Sequence, residues 1–249
     1  MKAWVIARRE IVAWFTTPIG WLMLCGWLFL TGLFWWINLV NYVTLVQELP
    51  PSPFGGGPEV TIDDMLVLPF FGTAMVLLAF VVPALTMRLL ADEVRRHTID
   101  LLLTSPVTAL DIVGGKFLGA WIVLTGLVVG TVPYALGIAG GADLDPGQLV
   151  AAYLTLWLHS GLLVAIGLCC SAFTSSQLVA SLFTFAIAIG LQVIGNFGPG
   201  HPLTQLSTVT HAEAGFEGAL RLSDVTYFIA FGAVWFFAAL QRVEAFRWR

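Results

Sequence analysis

The sequence predicts an all-α, polytopic membrane protein: six transmembrane helices, an N-terminal amphipathic interfacial helix, and short outer interfacial helices before the last span. Of its 249 residues, 58% are apolar and 10% are charged, whereas a soluble domain carries about 25% charged residues. Several apolar runs also exceed the roughly 18 residues that are needed to cross the hydrocarbon of a bilayer. These two observations indicate that lipid is the main solvent of the chain.

Six apolar runs are long enough to be membrane spans, and together they make residues 1–249 a single transmembrane domain. The runs cover residues 19–43, 66–90, 116–138, 149–173, 178–194 and 225–240. Thr108 followed by Asp111 is typical of a helix N-cap, so the third helix can begin well before its apolar run.

The basic residues are distributed unevenly between the two sides that six spans define. All eleven Lys and Arg residues except Arg221 fall in the two termini and in the connection between the second and third spans. The opposite loops are acidic. Because cytoplasmic loops are enriched in Lys and Arg, both termini are predicted to be cytoplasmic.

Two segments outside the spans have the composition of interfacial helices. In residues 1–17, Trp4, Ile11 and Trp14 fall on one helical stripe, with cations on the opposite face. Residues 197–224 begin with a Gly/Pro-rich breaker and then mix apolar residues with Thr, His and Glu. This second segment is too polar to cross a membrane, so we expect short helices at the outer surface.

The third span carries glycine pairs at a spacing of four residues. The pairs are Gly115/Gly119, Gly126/Gly130 and Gly137/Gly141. Such pairs lie on one face of a helix and let another helix approach closely. The pattern therefore predicts a nearly continuous packing face along this span.

Residues 91–107 (ADEVRRHTIDLLLTSPV) form a charged, helix-like segment between two long apolar runs. Leu101 and Leu102 lie along one side of such a helix, while Arg96 and Asp100 are i,i+4 neighbours on another side. One interpretation is a solvated loop with ordinary cytoplasmic charges. The other is a cytoplasmic helix that docks into a groove on another protein.

The sequence argues against a nucleotide-binding, metal-binding or enzymatic chain. Lys116 follows two glycines but lacks the rest of a phosphate-binding loop. The four histidines, His97, His159, His201 and His211, have no metal-ligand spacing. An intramembrane enzyme would have to use His159 or Ser160, and no nucleophile motif surrounds them. Since the spans hold almost no ionisable groups, driving energy would come from a partner ATPase, unless the chain is a scaffold or a passive channel.

Three segments resemble ABC-2 type transporter permeases. Residues 93–106 resemble the E-x-R-x-x-T-[LI]-[DE]-L-L-L-T-x-P stretch of that family, although His97 replaces the usual glycine. Residues 7–18 (ARREIVAWFTTP) are similar to the amphipathic entry of these permeases. Residues 206–227 resemble the outer segment before the last span, with Thr208 where a proline is common. The matching outer positions are His211, Gly218, Asp224 and Tyr227. The branch that the chain resembles most is the small permease of gliding-motility-associated (Gld-type) ABC exporters.

The resemblance implies a permease subunit of an ATP-driven exporter in a bacterial cytoplasmic (inner) membrane, which is not itself an enzyme. It would form a translocation path with a second copy or with a different permease-like subunit, and would couple to a cytosolic ABC ATPase. Residues 91–107 would be the coupling helix beside a connecting helix at residues 1–17. Its implied polar contacts are Glu93, Arg95, Arg96 and Asp100, and its apolar anchors are Leu101 and Leu102. ATP and Mg are expected in the ATPase, and no cofactor or metal is expected in this chain. Membrane lipid is an expected partner and nucleic acid is not. The substrate stays open.

Overall fold

The computed structural model describes residues 2–48, 63–95, 108–138, 145–197 and 201–246. Within these residues the regular structure is helical, without strands. The helices are α1 (Lys2–Thr16), α2 (Pro18–Glu48), α3 (Leu68–Thr86), α4 (Ala91–Arg95), α5 (Ala109–Val129), α6 (Val132–Ile138), α7 (Pro146–Phe173), α8 (Gln177–Val193), α9 (Thr208–Phe216) and α10 (Leu222–Ala245). A π-helical turn precedes α3, and two 3-10 turns, Ile194–Phe197 and Pro202–Leu206, lie between α8 and α9.

Six stretches of the described chain are long and apolar enough to cross a membrane. They are Pro18–Glu48, Met65–Arg95, Ala109–Gly137, Pro146–Phe173, Gln177–Phe197 and Leu222–Ala245. Each corresponds to one of the predicted apolar runs, so the six-span, all-α membrane fold is confirmed. Helices are also present in both predicted interfacial segments, but their position at the membrane surface stays a prediction.

The third span begins before its apolar run because Thr108 caps it. The Asp111 amide donates to Thr108 Oγ1 at 3.1 Å, and the Thr108 amide donates back to Asp111 Oδ2 at 3.1 Å. This reciprocal capping box satisfies two backbone donors that the first helical turn leaves open. The predicted N-cap is therefore confirmed, and Lys116 lies in the second turn of α5 and not at its start.

The fourth span, α7, is the centre of the bundle. It packs against α3, α5, α8, α9 and α10. Two hydrogen bonds hold α2 to its neighbours: the buried Trp27 indole donates to the Leu127 carbonyl of α5 at 2.9 Å, and the partly buried Tyr134 hydroxyl of α6 donates to the Leu28 carbonyl at 2.7 Å. These contacts define how α2 sits against α5 and α6.

The first helix, α1, lies along the first half of α5, and glycines permit the contact. A Cβ atom on Gly115 would lie 2.6 Å from the Ala3 carbonyl oxygen, and one on Gly119 would lie 2.9 Å from Glu10 Cβ. The predicted glycine face is thus confirmed at these two positions. It is wrong at Gly126, where a Cβ would meet no atom within 4 Å.

Candidate functional site

A cluster of four charged side chains joins α1, α4 and α5. Lys116 Nζ of α5 lies 2.8 Å from Glu93 Oε1 of α4 and 3.1 Å from Glu10 Oε1 of α1. Arg9 contributes a second cation, 3.5 Å from the same Glu93 oxygen. The Lys116 side chain is 3% exposed, whereas that of Arg9 is 65% exposed. The ammonium group of Lys116 is therefore the buried centre of the cluster.

Among the residues that the structure describes, the cluster is neutral, because two carboxylates oppose two cations. A buried charge is costly unless it is paired, and removing one partner of a buried pair typically costs about 3–5 kcal/mol. Lys116 and Glu93 are far apart in sequence and belong to different helices. Their pairing consequently ties the charged α4 segment to the long helix that follows it and to the N-terminal helix.

Two polar side chains from the ends of α7 and α8 also hold α4. The backbone N–H groups of Leu90 and Ala91 both donate to Ser171 Oγ, at 3.0 and 2.9 Å. Ser171 donates in turn to the Met87 carbonyl at 3.1 Å. The Gln177 side-chain amide donates to Asp92 Oδ1.

These bonds compensate for a break in the helix. The second span leaves regular α-helical geometry between α3 and α4, which frees backbone groups that must find other partners. The short helix α4 is thereby bonded to α1, α5, α7 and α8.

A second polar cluster lies at the opposite end of the bundle. His211 Nδ1 of α9 lies 2.7 Å from Asp224 Oδ1 of α10, and His211 Nε2 lies 3.0 Å from the Gln205 carbonyl oxygen. Tyr227 stacks on the imidazole with ring centroids 4.0 Å apart, and its hydroxyl donates to the Leu206 carbonyl at 2.7 Å. The two ring nitrogens therefore face oxygen atoms from two different elements, the Asp224 carboxylate and the Gln205 carbonyl.

Gly218 ends α9 in a left-handed conformation, with φ of 93°. The Gly218 amide bonds to the Gly215 carbonyl and the Ala219 amide bonds to the Ala214 carbonyl, which is the Schellman pattern of a helix C-terminus. A side chain at Gly218 would also meet Gln148 of α7 at 3.3 Å. Both the positive φ and the close approach to α7 explain why glycine occupies this position.

Comparison with known families agrees with this architecture. A family model described as ABC-2 family transporter protein matches residues 15–239. The chain belongs to the ABC-2 transporter family. It is therefore a multi-pass membrane permease subunit of an ABC transporter. No match is found among curated proteins.

The structure describes part of the residues that the ABC-2 resemblance singled out. Glu93 lies in the charge cluster, and Arg95 is 58% exposed with an i,i+3 ion pair to Asp92 at 3.6 Å. Four further members of the proposed coupling set, Arg96, Asp100, Leu101 and Leu102, lie outside the described residues. In the segment that the sequence predicts to be on the outer side, His211, Asp224 and Tyr227 meet in one cluster, while Gly218 serves as the helix terminus beside them.

The residues that hold α4 in this ABC-2 permease were missed by sequence reasoning. Lys116 looked like an ordinary cytoplasmic charge, and Ser171 like a small polar residue inside an apolar run. The cluster becomes visible only in the fold, where Lys116 and Glu10, 106 positions apart in the sequence, are in contact. The ARREI pattern around Glu10 was a local signal, but it did not identify its partner.

His159 and Ser160 do not have the geometry of a catalytic pair. His159 is completely buried, and neither of its ring nitrogens has a hydrogen-bond partner within the described structure. The Ser160 hydroxyl donates to the Trp157 carbonyl at 2.7 Å, within its own helix. A nucleophile requires a base within hydrogen-bond distance, so this arrangement gives no support to an intramembrane enzyme.

Proposed function

We propose that this ABC-2 permease is the membrane subunit of an ATP-driven exporter, which forms its path as a dimer and couples to a separate cytosolic ATPase. The observation that supports it is the charge cluster, in which Lys116 joins Glu93 of α4 to Glu10 of α1. A segment that only linked two spans would not need a buried ion pair to α5 and a second ion pair to α1. We also propose, from the charge distribution, a bacterial cytoplasmic membrane with both termini in the cytoplasm, and a Gld-type relationship.

The proposed coupling works through the bonds of α4. A force on residues 91–107 reaches α5 through Glu93, α7 through Ser171 and α8 through Gln177. These are the cytoplasmic ends of three successive spans in the proposed topology. ATP and Mg, bound by the ATPase, would favour one of two arrangements of the spans, and the differential binding energy would drive the change.

The burial of Glu93 indicates that its role differs from that of the other members of the coupling set. Its side chain is 13% exposed and faces cations of its own chain, so we propose that it positions α4. Arg95, together with Arg96 and Asp100, would make the polar contacts to the ATPase. Leu101 and Leu102 would anchor the helix in its groove.

The experiment is co-purification with a co-expressed ABC ATPase from the same genome, followed by ATPase measurements in nanodiscs. Reversing the charge at Arg95 and Arg96 together should release the ATPase and return its turnover to that of the isolated subunit. Arg221→Glu, a change of the same type on the opposite side, should leave both unchanged. Retention of a fully stimulated ATPase by the Arg95/Arg96 variant would contradict the coupling role. Failure of every variant and of the wild type to bind any ATPase would instead favour a scaffold or a passive channel.

A further inference from the structure

An apolar crevice opens where α1 meets α2, at the end of the membrane-spanning region. Its volume is about 150 Å³, and it is enclosed by the α1–α2 elbow, α3 and α5. The lining residues are Trp14, Phe15, Gly20, Met23, Leu24, Leu85, Val123, Gly126 and Leu127. A crevice of this composition, between helices in a bilayer, suits a hydrocarbon chain.

A cation lies at the rim of the crevice. The Arg88 guanidinium carbon is 4.4 Å from the centroid of the Trp14 ring, which lines the crevice, and Arg88 follows the lining residue Leu85 by one helical turn. Contact with the face of an indole is favourable for a guanidinium but uses none of its five N–H donors. Arg88 is therefore held in place with its hydrogen-bonding capacity available.

Arg88 has no carboxylate partner among the described residues, whereas three other basic residues have one. Arg9, Arg95 and Lys116 are each paired with a carboxylate. Within the described residues, no carboxylate or hydrogen-bond acceptor lies within bonding distance of the Arg88 guanidinium. A partly buried arginine without an anion is charge-complementary to an anionic group from outside the chain.

We propose that this site binds an anionic phospholipid, with its phosphate on Arg88 and part of one acyl chain in the crevice. Basic sites between transmembrane helices at the membrane surface are known to take lipid head groups. Tryptophan side chains favour the interfacial region of a membrane. Besides Trp14, Trp21 lies beside the α1–α2 elbow, where its indole donates to the Phe15 carbonyl at 2.9 Å. In the proposed topology the lipid belongs to the cytoplasmic leaflet. The proposal does not depend on the ATPase coupling.

Gly126 offers a way to block the crevice without touching Arg88. A Cβ at this position would meet no atom within 4 Å, and the residue lines the crevice. Gly126→Leu should therefore fill the space that the acyl chain uses. Gly20 is unsuitable for the same purpose, because its Cβ would lie 2.0 Å from the Trp14 carbonyl oxygen and would displace α2.

The test is lipid retention by the full-length permease. The protein is equilibrated with mixed phosphatidylglycerol and phosphatidylcholine, stripped with detergent, and analysed for bound lipid by native mass spectrometry. The wild type should retain phosphatidylglycerol in preference to phosphatidylcholine, and Arg88→Gln should lose this preference. Gly126→Leu should lower the retention of phosphatidylglycerol. Arg8→Gln, which neutralises an exposed arginine on another face of α1, is the matched control and should behave as the wild type.

A competition experiment distinguishes a lipid head group from free inorganic phosphate as the ligand of Arg88. Excess inorganic phosphate should not displace the lipid, because it has no chain to occupy the crevice; full displacement would show a simple phosphate site and overturn the proposal. An unchanged lipid preference in Arg88→Gln would also overturn it. Thermal unfolding of each variant, measured in the same detergent, distinguishes a lost lipid site from a lost fold.

Discussion

Lys116 Nζ lies 2.8 Å from Glu93 Oε1, and the lysine side chain is 3% exposed. This pair crosses the segment between the second and third spans, which is the most charged connection in the chain. The buried ammonium group is compensated by two carboxylates, and both belong to other helices. The position of α4 is therefore tied to that of α5.

Replacement of this lysine tests the link. Lys116→Met should lower the free energy of unfolding by about 3–5 kcal/mol, because it leaves Glu93 and Glu10 close together without their shared cation. The measurement is thermal unfolding in nanodiscs. Arg9→Gln removes the exposed cation of the same cluster and should change stability by about 0.5 kcal/mol or less.

A double variant completes this test. Lys116→Met combined with Glu93→Gln removes opposite charges together, so it should be more stable than Lys116→Met alone. If the two changes were simply additive, the 2.8 Å contact would carry no coupling energy and the proposed positioning role of Glu93 would have no basis.

Ser171→Ala should loosen α4. The change leaves the buried Leu90 and Ala91 amides without their acceptor, at a cost of about 1–3 kcal/mol for an unsatisfied buried donor. Hydrogen exchange at these two amides should become faster while exchange in the middle of α7 stays the same. Ser181→Ala is the matched control, since the Ser181 hydroxyl bonds to the Leu178 carbonyl of its own helix. Equal effects of both variants would refute a specific role for Ser171.

The sequence was sufficient to predict the six spans and the Thr108 cap, because both depend on local patterns: long apolar runs, and a hydroxyl three residues before a carboxylate. The charge cluster depends on tertiary approach. Lys116 begins an apolar run and resembles any cytoplasmic charge until α1 is placed beside it. Ser171 has no local signal, since small polar residues are frequent in membrane helices. The outer residue His211 came from family resemblance, and its bond to Asp224 became visible only in the fold.

The contact between α1 and α5 depends on glycines of α5. Gly115→Val should separate the helices, because even a Cβ would lie 2.6 Å from the Ala3 carbonyl oxygen. Tryptic cleavage after Arg8 and Arg9 should then become faster in the folded protein. Gly126→Ala, on the same helix but with open space around it, should leave the cleavage rate unchanged. Unaltered cleavage in both variants would show that the contact between α1 and α5 does not protect α1.

The cluster of His211, Asp224 and Tyr227 predicts a graded loosening of the segment before the last span. Tyr227→Phe keeps the ring stack on His211 but removes the 2.7 Å bond to the Leu206 carbonyl. His211→Ala removes the stack and both imidazole contacts. With about 0.5–1.5 kcal/mol for each hydrogen bond, amide exchange in Pro202–Leu206 should accelerate slightly in the first variant and more strongly in the second.

The control for this series is Thr226→Ala, on the same turn of α10 as Tyr227. The Thr226 hydroxyl bonds to the Leu222 carbonyl within α10, so its loss should not affect the 3-10 turn. Asp224→Asn adds a test of charge: it retains a hydrogen-bonding oxygen near His211 Nδ1 but removes the negative charge of the carboxylate. Exchange in the Asp224→Asn variant should therefore lie closer to His211→Ala than to Thr226→Ala. The opposite order would mean that the charge of Asp224 contributes little, and that the stack of Tyr227 on His211 holds the segment before the last span by itself.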